Sequence, residues 1–443
     1  MAGTLSRGSF IASAIPHDKF AELMTSKRVH IGFVSTRFAG TDGVSLETEK
    51  WASVLNSLGH ECFYFAGESD RPAERSIVVP EAHFTHPQIL ALTTELFQGH
   101  QRSSESTGTI QQLRYHLKQQ LYEFVMNYAL DLLIIENAVS LPMNVPLGLA
   151  ISELIAESGM PTIAHHHDLF WERTRFSNSS AADYLNAAFP PILPSITHVV
   201  INSIAGQQLA MRTGANAVLV PNVMDFDHPP AEPDEVAADL RAIWGVGEGQ
   251  HLLLQPTRIV PRKRIELAIE LTRRLELGSV LVISHASGDE GSEYMAYLRD
   301  YAELMEVEVA FGANIVGHQS DDLSNNRPVY SLADAYQAAD LVTYPSSIEG
   351  FGNAFLETIY YRRPLVINAY DVYKTDIQPK GFDVIGFEDF IREATVKAAR
   401  QCLLTPKVGQ QMAEHNYDIG RRFYSFSVLE GQLITLLNQS LGT

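Results

Sequence analysis

Residues 28–34 read RVHIGFV, an apolar, β-branched run without polar alternation, and they open into STRFAGTDGVS, which is rich in turn formers. An unbroken run of this length predicts a strand buried on both faces, as in a parallel sheet. Leu46, Trp51, Val54, Leu55 and Leu58 then recur at helical spacing up to Gly59, and ECFYFAG over 61–67 predicts the next strand. Strand patterns return at 131–136, 161–167 and 198–202, with a helical pattern over 110–129. The Pro-, Asn- and Asp-rich stretch 219–235 predicts an interdomain linker, and a second series of strands follows at 251–257, 279–286, 339–345 and 364–370. This alternation predicts an α/β fold with two doubly wound, Rossmann-like domains, over 28–222 and 223–420. Residues 1–27 are expected to form a loosely ordered arm. Residues 421–443 predict an amphipathic C-terminal helix whose packing partner the pattern does not give.

Composition narrows the class. The 443 residues are 45% hydrophobic and 19% charged, and no apolar run approaches the ~20 residues of a membrane span. A net charge of −19 opposes binding to nucleic acid and to anionic lipid. The 110–129 helix, with Arg114 and Lys118 as its firm cations, does not make a basic membrane-binding face, so no stable membrane association is expected. Two cysteines, Cys62 and Cys402, are too few for a disulfide framework, and a reducing, cytoplasmic setting is expected. The oligomeric state is left open.

The chemistry concentrates in SSIEGFGNAFLETIYYRRPLVIN, where Glu349 and Glu357 flank seven residues between two predicted strands. Gly350 and Gly352 let backbone approach a ligand, and the amides from Phe351 through Asn353 and Ala354 to Phe355 open the next helix, where unpaired N–H groups attract a diphosphate. The two carboxylates are placed to accept hydrogen bonds from the hydroxyls of a hexose and a ribose. In QPTRIVPRKRIEL, Arg258 and Lys263 sit five apart after a strand and offer positive charge to a departing nucleoside diphosphate. The alternative is that Arg262, Lys263 and Arg264 form a solvated helix start, although cations there oppose the helix dipole. PTIAHHHDLFWERTRF ends a strand on His165, His166 and His167; strand alternation keeps His166 off the face of the other two, and no metal site is expected. The Gly40-Thr-Asp-Gly43 turn lacks G-x-G-x-x-G and is weak evidence alone.

The Glu349-Gly-Phe-Gly-Asn-Ala-Phe-Leu-Glu357 segment resembles the E-x7-E signature of the family-4 retaining glycosyltransferases, and Arg258 and Lys263 match that family's R-x4-K pair. The likeness runs from about Arg28 to near the C-terminus and weakens over 67–130. It implies a GT-B fold, a nucleotide-sugar donor, a second small-molecule substrate, no cofactor and no metal. By the same resemblance Glu349 and the following amides hold the donor sugar, Glu357 holds the ribose, and Gly43 approaches the donor phosphate. Tyr330 and Ser331 fall where relatives seat the base, Asn222 where they have a hinge. His167, six residues after Pro161, is expected near the reaction centre, whereas His165 reads as a core histidine. No carboxylate stands out as a nucleophile, and the resemblance implies retention by front-face attack.

On the acceptor side, Arg37, Arg173 and Arg175, with Asp168 beside them, are expected to hold a small anionic acceptor such as glycerate, glucosylglycerate or a sugar phosphate. Pairing with nearby acids is the alternative for these arginines. A nucleotide-sugar-binding subunit without activity, or a GT-B-fold epimerase or phosphorylase, would share the phosphate cradle. A dinucleotide oxidoreductase lacks its glycine fingerprint here.

Overall fold

The computed structural model describes residues 28–442 apart from Thr41, 232–234, 286–291, 313–315 and 318–329. The expected arm over 1–27 lies outside the described residues, as do three residues of the linker and Ala286 at the end of one expected strand.

The first sheet holds β1 (His30–Val34), β2 (Glu61–Ala66), β3 (Ser76–Val78), β4 (Leu132–Glu136), β5 (Thr162–His166), β6 (Ile196–Val200) and β7 (Ala217–Leu219), in the order β3-β2-β1-β4-β5-β6-β7. The second holds β8 (Leu252–Gln255), β9 (Val280–Ile283), β10 (Val309–Phe311), β13 (Leu341–Tyr344), β14 (Leu365–Asn368) and β15 (Ile385–Phe387), in the order β10-β9-β8-β13-β14-β15. A short pair, β11 (Val316–Gly317) and β12 (Tyr330–Ser331), stands apart. All these strand pairs are parallel. In β1, Ile31 and Phe33 join one apolar cluster with Trp51 and Leu55, while Val34 joins another with Leu121 and Phe124. Helices cover both faces, which is why the strands read as unbroken apolar runs. Order reverses beside β1 in the first sheet and beside β8 in the second, and such switch points leave a crevice at the carboxyl ends of the strands.

Local chemistry explains where elements begin. The first helix starts at Gly43, ahead of its first apolar residue, because Asp42 caps it by accepting from the Val44 and Ser45 amides at 3.1 Å. The helix expected from 421 is broken at Ser425, which separates helix Pro406–Tyr424 from helix Phe426–Leu441 and accepts from the Val428 amide.

The final helix returns to the first domain. Leu429, Leu433, Leu436 and Leu437 pack with Trp51, Val54 and Leu55 of the Gly43–Ser57 helix. The chain therefore crosses between domains twice, near 222 and near 425. The crossings lie side by side: the Met224 amide donates to the Tyr424 carbonyl at 2.9 Å, and the Ser427 amide and hydroxyl donate to Asp227 at 2.9 and 2.8 Å.

Because Leu433 is fully buried, Leu433→Ala is expected to lower unfolding free energy by about 2–5 kcal/mol. Urea denaturation followed by a first-domain probe such as Trp51 fluorescence would measure it, and a loss below about 1 kcal/mol would contradict this packing.

Candidate active site

The turns after β8 and β13 are stitched together. The Ser347 amide donates to the Arg262 carbonyl at 2.9 Å, and Arg262 Nη1 donates to the Ile348 carbonyl and to Glu349 Oε2, both at 3.1 Å. Lys263 ends a short 3-10 turn, Pro261–Lys263, and its Nζ pairs with Glu349 Oε1; each side chain is 9% exposed. Burial alone would raise the Glu349 pKa, but Lys263 and Arg262 outweigh it and hold the carboxyl at about 2. Burial pulls Lys263 below the usual ammonium value, with Glu349 opposing. Lys263 Nζ also lies 5.5 Å from the centroid of the Tyr344 ring. Arg258 is exposed, and its guanidinium makes no hydrogen bond or ion pair among the described residues.

Gly352 starts the Asn353–Tyr360 helix at φ +120°, and no side chain caps that end. A Cβ there would fall 2.5 Å from the Tyr370 hydroxyl, which donates to the Phe351 carbonyl at 2.6 Å. Glycine is required by both the conformation and the space. One turn on, Glu357 Oε2 accepts from the buried Tyr336 hydroxyl at 2.8 Å, and burial raises its pKa.

Facing this lip, β4 and β5 end on a cluster around Glu136. Its carboxylate is buried and meets His165 Nδ1 at 3.0 Å and His167 Nε2 at 2.8 Å. Burial opposes the charge, but the two imidazoles prevail and hold Glu136 at about 2. Burial also works against a charged His167, yet the hydrogen bond and charge of Glu136 raise its pKa, whereas for His165 burial wins and lowers it. His165 stacks on Trp51 at 4.2 Å. His166 points the other way, to Ser140 and to His198 Nδ1 at 2.9 Å. As strand alternation requires, His165 and His167 share a face. With Glu136 they form the one group among the described residues that could hold a metal ion, their ligand atoms lying within 4.8 Å of one another.

The two lips touch. Asn202 Nδ2 donates to the Gly350 carbonyl at 2.7 Å, Asn222 Nδ2 donates to Asn353 Oδ1 at 2.6 Å, and a Cβ on Gly350 would stand 3.2 Å from the His167 carbonyl. A Cβ on Gly43 would stand 3.6 Å from the Asn353 side-chain amide.

Not every expected residue joins this meeting point. Tyr330 is buried in the second core, and the Ser331 hydroxyl is spent on a capping box with Asp334, which leaves backbone as the means of holding a base there. Arg173 pairs with Asp168 at 2.6 Å and feels the charge of Glu349, so it does reach the cleft. Arg37 is tied to Asp42 at 2.9 Å, and Arg175 is exposed with its guanidinium over Phe176, so local partners engage these two arginines. Two participants were missed. Arg262 lay inside a stretch that also read as a solvated helix start, and Glu136 ends a strand whose only signal was an acid closing the run LLIIE.

Two doubly wound sheets meeting at their carboxyl ends, with cations and carboxylates on the second lip and a histidine on the first, define a glycosyltransferase of GT-B type. Solved structures agree in fold. A glycosyltransferase from Rickettsia africae matches 94% of this chain and 99% of its own, with TM-score 0.67 at 12% identity. Sucrose-phosphate synthase from Thermosynechococcus elongatus matches 93% and 99%, with TM-score 0.64 at 15% identity. Mannosylglucosylglycerate synthase from Petrotoga mobilis is 33% identical over 383 residues, 81% of this chain and 86% of its own. The enzyme of that name from Thermotoga maritima is 32% identical over 434 residues, 90% and 97%. The chain belongs to the mannosylglucosylglycerate synthase family. No protein-family model matches it.

Glu136 and Glu349 titrate at about 2 when folded, against 4.5 ordinarily. Depressed carboxylates stabilise fully above the unfolded pKa and lose that contribution as pH falls through the folded one, here between about pH 5 and pH 2. Melting temperature should therefore drop across this window, and Glu349→Gln should flatten the drop. An unchanged slope in that variant would contradict the ion pair.

Proposed function

We propose that this enzyme, working as family-4 transferases do, moves a mannosyl group from a nucleoside-diphosphate mannose to glucosylglycerate, retaining anomeric configuration, in the cytoplasm and without a metal ion or other cofactor. The observation that carries the reading is the buried Lys263–Glu349 pair beside exposed Arg258 and the uncapped Asn353–Tyr360 helix, set against His167 across the cleft. The sugar and acceptor rest on the name of the relatives' product, whose parts are mannosyl, glucosyl and glycerate.

The donor side follows from charge. Lys263, Arg258 and the helix amides supply the positive potential that a leaving diphosphate needs, a role metal ions fill in other transferases. Glu349, ionised at neutral pH, accepts from sugar hydroxyls, and Glu357 from ribose. Glu349 is engaged by two cations and Asp168 by Arg173, so neither is free to attack the anomeric carbon. In the front-face route the acceptor hydroxyl attacks from the side the diphosphate leaves. The bond from the anomeric carbon to the phosphate oxygen breaks, the new glycosidic bond forms, and the acceptor proton passes to the leaving phosphate. In this reading Arg173 binds the glycerate carboxylate.

Lys263→Ala and Glu357→Ala should each cost about 2–4 kcal/mol in kcat/KM, since both remove preorganised donor contacts. Wild-type turnover in both variants would sink the donor-site assignment.

The substrates are tested by supplying UDP-, GDP- and ADP-mannose, with glucose counterparts, to the purified protein with glycerate or glucosylglycerate. Nucleotide release should require donor and acceptor together, survive EDTA and ignore anionic liposomes, and NMR should show the donor's anomeric configuration in the product. Transfer only to lipid-linked acceptors, an inverted product, or loss in EDTA restored by Mg²⁺ or Mn²⁺ would each refute the corresponding part.

A further inference from the structure

Glu136 is an acid at the end of a central strand, wholly out of water, and among the described residues no lysine or arginine pairs with it. An ionised carboxylate in that position is costly unless its oxygens are matched. Both are matched by imidazole. His165 is its register partner across β4 and β5, and His167 is two residues further along the same face. An ionised carboxylate only accepts hydrogen bonds, so each facing ring nitrogen must carry the proton. That assigns Nδ1–H to His165 and Nε2–H to His167, opposite tautomers held by one carboxylate. His165 Nε2 is then a buried atom without a partner, as befits a neutral core ring. His167 Nδ1, with no hydrogen-bond partner among the described residues, is the ring atom left for a ligand.

We propose that Glu136 is a positioning residue for His167, fixing its ring orientation and its tautomer. This rests on the reading that His167 faces the donor sugar. Other ionisable groups also face the rings: Glu47 on the Gly43–Ser57 helix acts on both, Asp168 acts on His167, and His167 acts on His165, whose ring centroid lies 4.2 Å away. Glu47 is itself paired with Lys50 at 3.0 Å and accepts from the Val223 amide. Asp168 is bound to Arg173. Among the described residues Glu136 alone hydrogen-bonds the His167 ring, which singles it out as the control.

The test uses the full chain labelled with ¹⁵N-histidine, with His167→Ala to assign the ring signals and metal content measured on the same samples. Wild-type His167 should show the Nε2–H tautomer and titrate above an ordinary histidine. Glu136→Gln keeps the shape but removes the charge, so the midpoint should fall by about one unit or more. The matching limb of the kcat profile should move to lower pH with it. Turnover should fall about tenfold or more while the donor KM changes less than about threefold. Glu136→Asp should recover part of the midpoint, and it carries the test if Glu136→Gln does not fold.

Unchanged His167 signals in Glu136→Gln, or an Nδ1–H tautomer in the wild type, would overturn the proposal. So would one bound transition-metal equivalent whose removal shifts both histidines, since the cluster would then be a metal site. The ring signals report on Glu136 whether or not sugar is transferred. If they behave as expected but His167→Ala keeps full turnover, the donor-sugar reading fails instead.

Discussion

Charge removed from water has to be answered inside the protein, and the cleft is arranged around that requirement. Three carboxylates, Glu47, Glu136 and Glu349, lie buried or nearly so where the carboxyl ends of parallel strands converge. Each is met from a different stretch of chain: Glu349 by the turn after β8, Glu136 by the end of β5, and Glu47 by Lys50 and the linker amide at Val223. Removing one partner of such a pair leaves a stranded charge, a far larger penalty than the pair's net worth. The groups that suit the site for sugar chemistry are therefore also groups the fold cannot easily shed, and they hold their positions before a substrate arrives.

Much of the architecture is legible in the sequence because parallel strands buried on both faces leave an unmistakable apolar run. β1, β4, β8 and β13 fall inside the stretches that pattern indicates. Among the strands it does not reveal, β3, β7, β10 and β15 are three residues each, too short to establish a period, and all four stand at sheet edges. Helix ends shift for a similar reason, since Asp42 and Ser425 act through side-chain caps that hydrophobic spacing cannot register.

The candidate site divides along the same line. Glu349, Gly352 and Glu357 share one strand–turn–helix segment, and Arg258 and Lys263 share one turn, so their spacing alone carries the geometry. Glu136 was hidden because its partners come through inter-strand register, 29 and 31 residues away in sequence. The acceptor arginines show how near neighbours in sequence intervene. Three cations on nearby loops suggested convergence, but Arg37 found Asp42 five residues along the chain, and such local pairing competes with any distant rendezvous.

The doubled connection between the domains has a mechanical consequence. One tether would let the domains swivel and slide in several directions, whereas two adjacent strands of backbone, bonded at Met224–Tyr424 and Asp227–Ser427, behave like the leaves of a door hinge. Relative movement is confined to rotation about the line they share. The placing of His167 over Gly350 is thereby favoured by the chain's own connectivity, ahead of any molecule held between the lips.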